Sequence, residues 1–153
     1  MTPSQIAADL SAYLDRQTGL RAFHWANHNC AHFALGWWRQ VTGCDALAGI
    51  AMPHSAEAAR RWLRGQGASL ATEVAVRIER RAMDARLATL GDLVIVGRQG
   101  LPTGTAVGHG IGAALGICSG RLVALLGGDG RVVQLPMVAA QVAFALRADE
   151  GLQ

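Results

Sequence analysis

Apolar residues recur at helical spacing along the first half of this chain and gather into short unbroken runs along the second. Ile6, Leu10 and Leu14 stand at i, i+4 and i+8, with Ala7 and Tyr13 beside them, which predicts an amphipathic helix. Thr2 and Pro3 supply a hydroxyl cap and a proline at the first helical position, and Gly19 marks the end. A second helix is expected over about 29–42. Cys30, Phe33, Ala34, Trp37, Trp38 and Val41 share its period, Asn27, His28 and Asn29 offer polar caps, and Gly43 offers a stop. A linker through Asp45 and Pro53 leads to a third helix over about 55–66, capped by Ser55, in which Ala58, Ala59, Trp62 and Leu63 fit the period. Residues from about 69 to 82 form a weaker fourth.

Beyond Gly91-Asp92 the pattern changes. Leu93-Val94-Ile95-Val96 is a continuous apolar run and reads as a buried strand. Six glycines and Pro102 between 97 and 112 predict a flexible loop or wide hairpin. Strands follow at about 111–118, 122–126 and 132–135, with a turn at Gly127-Gly128-Asp129-Gly130. A last strand or short helix occupies about 142–146. Helices first and strands second predict an α+β domain in which N-terminal helices pack on a C-terminal antiparallel sheet. The division places the helical part at about 3–82 and the sheet part at about 91–147 of a single domain, 1–153, without internal repeats.

Composition narrows the function classes. The 153 residues are 51% hydrophobic and 16% charged. That balance implies a surface partly covered by partners, or a count inflated by small Ala and Gly. Net charge is +3 and the pI about 9.2. The excess is arginine, clustered at Arg60, Arg61 and Arg64 and again at Arg77, Arg80 and Arg81, and reads as a solvated helical face. With aromatics at 5%, no nucleic-acid partner is expected. Cys30, Cys44 and Cys118 form no CxxC pair, which argues against a disulfide framework or zinc knuckle and for a reducing compartment. The N-terminus lacks a basic segment followed by an apolar core, so no signal peptide is expected. No apolar run reaches about 18 residues, so no membrane span is expected.

The chemistry centres on Cys30. A thiol at a helix N-terminus faces free N–H groups and the positive dipole end, which stabilise a thiolate and can receive an oxyanion. A histidine nearby would complete a nucleophile–base pair. The plainer reading is a small buried apolar residue. His24, His28 and His32 stand at i, i+4 spacing, which suits a metal on one helical face. Asn27 and Asn29 read as caps, however, and break the helix across the trio, so no metal site is expected and the histidines are assigned to loop backbone. Gly108-His109-Gly110-Ile111-Gly112 lacks the Gly-Lys-Ser/Thr of a phosphate loop, and no cofactor is expected. Trp37 and Trp38, adjacent on a helix, point about 100° apart. One of them is expected to face a neighbouring subunit.

The stretch Phe23-His24-Trp25-Ala26-Asn27-His28-Asn29-Cys30-Ala31-His32-Phe33-Ala34 resembles the start of the NlpC-type peptidases, papain-like enzymes that cut peptidoglycan stem peptides. In these an aromatic segment precedes Asp-Cys and the Cys begins a helix. Their later Gly-Asp and apolar strand are matched by Gly91-Asp92-Leu93-Val94, and their His-x-Gly-Ile-x-x-Gly strand by Ala114 to Gly120. The chain is most similar to a phage-encoded branch whose motifs fall, in order, on Trp25 to Cys30, Gly43-Cys44-Asp45, Gly91-Asp92, Ala114 to Ile117 and Gly130 to Pro136. Genes of that branch sit among tail-assembly genes of siphophages and prophages.

The resemblance implies a papain-like fold and a tail-tip or baseplate protein. Such a protein is assembled in the host cytoplasm and carried in the virion tail, with other tail proteins as partners. The chain departs from the pattern where catalysis would lie. The catalytic His falls on Ala114, and Asn29 replaces the Asp before Cys30. His109 lies five residues before Ala114, about 16 Å away along an extended strand and on the opposite face, unless the intervening glycines bend the chain. His28 lies two residues before Cys30. One expectation is a structural protein with an incomplete catalytic site. The other is an active cysteine peptidase or amidase that opens peptidoglycan, with Cys30 as nucleophile and His109 or His28 as base. A third is a cytoplasmic assembly factor absent from the finished particle.

Overall fold

The computed structural model describes residues 1–19, 22–25, 27–65, 69–101 and 112–147, without the side chains of 63–65. Four helices come first: α1 (Pro3–Gln17), α2 (Cys30–Thr42), α3 (Ala56–Gly65) and α4 (Leu70–Ile78). Six strands follow: β1 (Met83–Asp84), β2 (Leu93–Gly97), β3 (Ala113–Cys118), β4 (Leu122–Leu126), β5 (Val132–Pro136) and β6 (Ala140–Phe144). They form one antiparallel sheet in the order β1-β6-β2-β3-β4-β5. The expected α+β division therefore holds.

Local chemistry sets the helix bounds. A capping box of Thr2 and Gln5 opens α1, and Gly43, at φ 78°, ends α2. The fourth helix is shorter than the periodicity suggested, because Glu79 takes a left-handed conformation (φ 54°) and stops α4 at Ile78. The last apolar segment is a strand, and it returns to the middle of the sheet between β1 and β2.

Alternation along the strands divides the interior in two. On one face Leu93, Ile95, Leu115, Ile117, Ala124 and Leu126 pack against Leu10, Phe33, Trp37 and other helix residues. On the other, Val94, Val96, Ala114, Val123, Leu125 and Ala143 form a second cluster. That cluster gathers Met83 from β1 and Val133 from β5, strands at opposite ends of the sheet, so the sheet curls around it.

Both adjacent indoles are inside, which corrects the expectation that one would meet a neighbouring subunit. Trp37 and Trp38 are 0% and 1% exposed. Trp37 packs on Tyr13 (ring centroids 5.7 Å apart) and donates from Nε1 to the Gly91 carbonyl at 2.9 Å. Trp38 points elsewhere and is covered by the Arg80 guanidinium, 5.3 Å from its ring centroid. Both rings belong to the one helix-side core, and the cation on its face adds to the cover of the second. The Tyr13 hydroxyl donates to the Phe33 carbonyl at 2.6 Å, and burial pushes its pKa up to about 12. Among the described residues no helix is long and apolar enough to cross a membrane.

Candidate functional site

The chain enters α2 through a hook. His24 and His28 exchange backbone hydrogen bonds, at 2.8 and 2.9 Å, and the Asn27 N–H donates to His24 Nδ1 at 3.2 Å. Asn29 then caps the helix. Its Oδ1 accepts from the N–H groups of Ala31 (2.9 Å) and His32 (3.1 Å), and its Nδ2 donates to the Trp25 carbonyl at 2.6 Å. His32 Nδ1 accepts the Asn29 N–H at 3.2 Å and closes the capping box. The three histidines are thus divided between hook and cap, and no cluster of three metal-ligating side chains forms among the described residues. Asn29→Ala is expected to cost about 1–2 kcal/mol, read as a lower urea midpoint. Asn29→Asp keeps the capping oxygen and should cost less than the alanine variant. Equal losses for the two would show that the cap is not what Asn29 contributes.

Cys30 is the first residue of α2 and is partly buried against the sheet. Nearby backbone N–H groups of Leu115, Cys30 and Ala31 favour the thiolate, yet burial outweighs them and pushes the thiol pKa up. This reverses the expectation from the helix dipole. Stripping water from a thiolate costs more than the three N–H groups and the helix end supply.

The sheet offers it no base. The positions of β3 and β4 that pack toward the helices are Ala113, Leu115, Ile117, Ala124 and Leu126, all apolar. Ala114, where the resemblance places the catalytic His, is fully buried in the second cluster, on the face turned away from α2. His28 is buried beside the cap, 5% exposed, on the hook that leads into Cys30. His109 lies outside the described residues.

On its outer side Cys30 lines a small cleft of about 90 Å³, shared with Trp25, Met52, Pro53, Trp62 and Leu70. Trp62 is held by the Arg77 guanidinium, 5.4 Å from the ring centroid, and Arg77 is itself paired with Glu73 at 2.7 Å. Among the described residues, Asn29 is the only amide or charged side chain in the lining, and the cap occupies its oxygen. This lining suits an apolar group. Met52, Pro53 and Leu70 were not foreseen as neighbours of Cys30. They come from the linker and from α4, and no periodicity joins them to α2.

Gly91-Asp92, the second matched motif, is structural. The Asp92 carboxylate accepts from the N–H groups of Leu146 and Thr89, both at 2.8 Å. It ties the start of β2 to the segments on either side.

The model of one protein family, DUF6950, described as a domain of unknown function, matches residues 3–146. No curated protein matches the chain.

Proposed function

The chain belongs to the DUF6950 family, and from that premise we propose that it is a phage or prophage-derived tail-tip or baseplate protein that keeps an NlpC-type, papain-like fold as a docking module with an incomplete catalytic site. One observation carries this reading. Cys30 occupies the nucleophile's place at the mouth of α2, but it faces apolar strand positions and its thiol pKa is raised. A papain-like nucleophile needs a depressed pKa and an imidazole partner. The order of motifs from Trp25 to Pro136 supplies the tail context. Other tail proteins are the partners of this reading, and the virion tail is its location.

The test is thiol chemistry. Cys30 should react with iodoacetamide at pH 6 no faster than free cysteine, and its rate should still be rising at the pH where that of free cysteine levels off. Cell-wall peptides should not be turned over. A thiol that reacts at least about tenfold faster than free cysteine at pH 6 would sink the inactive reading.

A second reading is favoured by the place of Cys30 as the first residue of α2, where the helix dipole favours developing negative charge, and by His28 on the adjoining hook. Under it the protein is a cysteine peptidase or amidase with Cys30 as nucleophile and His28 or His109 as base. Cys30→Ala then abolishes peptidoglycan cleavage and leaves particle assembly intact. Peptides of this chain in mass spectra of purified virions would dispose of the assembly-factor alternative.

A further inference from the structure

A second cavity lies away from Cys30, at the seam where the curled sheet brings its two ends near each other. Its volume is about 690 Å³, within the range of sites that enclose an organic ligand and far larger than an ion needs. Asp84 and Arg86 line one side, from β1 and the 3₁₀ turn Ala85–Leu87. Arg121, Met137 and Val138 line the other, from the start of β4 and the 3₁₀ turn Met137–Ala139.

Three features converge here. Five large hydrophobic residues are exposed among the described residues, and two of them belong to this groove: Val138 at 92% lines it, and Leu87 at 66% stands between the lining residues Arg86 and Ala88. Exposed apolar groups gathered around a concavity mark a contact site. The second feature is backbone. Among the described residues β1 and β5 are the two ends of the strand order, and the edge of β1 reaches the groove at Asp84, where an extended peptide can lie alongside it. The third is charge. Asp84 is already neutralised by Arg86, which donates from Nε and Nη2 at 2.8–3.2 Å. Among the described residues the Arg121 guanidinium makes no hydrogen bond or ion pair. It offers a positive charge beside the apolar rim.

We infer that this seam is a docking groove for an extended segment of a partner protein that carries an apolar side chain next to a carboxylate. The apolar side chain sits on Met137 and Val138, and the carboxylate pairs with Arg121. The inference concerns the far side of the sheet from Cys30 and stands whether or not the chain works in a tail particle.

The experiment is selection of displayed random dodecapeptides on the immobilised full chain, followed by titration of the enriched peptide against variants. Enriched sequences should place a large apolar residue within two positions of Asp or Glu. Arg121→Glu and Val138→Glu should each weaken the peptide at least about tenfold. Val76→Glu, an equally exposed apolar site on α4 at 70%, should not change its affinity. All three positions are on the surface, and unchanged thermal midpoints would show that the variants fold. Failure to enrich any peptide would overturn the inference. So would peptides that bind Val138→Glu as tightly as the parent, or self-association of the parent that Val138→Glu abolishes, which would make the occupant a second copy.

Discussion

Asp92→Ala is expected to lower the unfolding free energy by about 3 kcal/mol. Asp92 is 3% exposed, and its two oxygens accept from Leu146 and from Thr89, each N–H at 2.8 Å. Alanine leaves the buried Leu146 N–H and the part-buried Thr89 N–H without this acceptor, and a buried orphan costs roughly 1–3 kcal/mol. Asp92→Asn keeps one acceptor oxygen and turns an N–H₂ toward the other donor, so about half the loss should remain. The pH dependence separates charge from hydrogen bonding. Burial pushes the Asp92 pKa above its ordinary 3.8, against the hydrogen bonds from Leu146 and Thr89 and the Arg147 charge. The folded state therefore holds this proton more tightly than the unfolded chain. The stability that protonation adds is fully present below the unfolded pKa and is lost as pH rises through the folded one. Guanidinium unfolding of the parent and of Asp92→Asn should show the difference moving in the parent's favour as pH falls from 7 toward 4. Movement the other way would mean that folding prefers the carboxylate.

Gly91→Ala should cost about 3 kcal/mol, for two reasons that add. Gly91 has φ 91°, where an L side chain is strained, and a Cβ there would stand 2.9 Å from Ile6 Cγ2 and 3.0 Å from Leu146 Cδ2. The backbone cannot yield easily, because the Gly91 carbonyl holds the Trp37 indole N–H at 2.9 Å. Gly43→Ala is the comparison. Its φ is 78° but nothing lies within 4 Å of the added carbon, so only conformational strain of about 1 kcal/mol applies. Equal losses in urea titrations of the two variants would remove the crowding argument. Together the two substitutions treat the Gly-Asp pair as a joint between α1, α2 and the sheet.

The helices and most strands could be read from the sequence because each carries its own signal. Asn29 and Gly43 bracket α2 as cap and stop, and the apolar run at Leu93 to Val96 needed no partner to be recognised. β1 escaped notice because two residues, Met83 and Asp84, have no period. The place of β6 between β1 and β2 escaped as well, since alternation reveals a strand but not its neighbours. The paired tryptophans misled because both rings join the same core cluster, and Arg80, a cation from beyond α4, adds cover to Trp38. At the candidate site the position of Cys30 at the helix mouth was legible from Asn29 alone. Its raised pKa was not, because burial depends on what the sheet places against it. Nor was the face on which Ala114 lies, since one residue of register decides it.

The position of β6 has a consequence during synthesis. Its residues Ala143 and Phe144 pair with Val94 and Leu93 of β2, which leave the ribosome some fifty residues earlier. Until they arrive, one side of β2 has no strand beside it, and the apolar faces of β2, β3 and β4 lack their closing neighbour. The helices can form as they emerge, but the sheet cannot zip from one end to the other in order of translation. Completion waits for the last strand to be inserted between two already made. Such long-range pairing is slow and leaves a sticky edge exposed meanwhile. A nascent chain halted after Ala139 would hold four helices and a sheet open at its centre, a form for chaperones or proteases rather than for assembly.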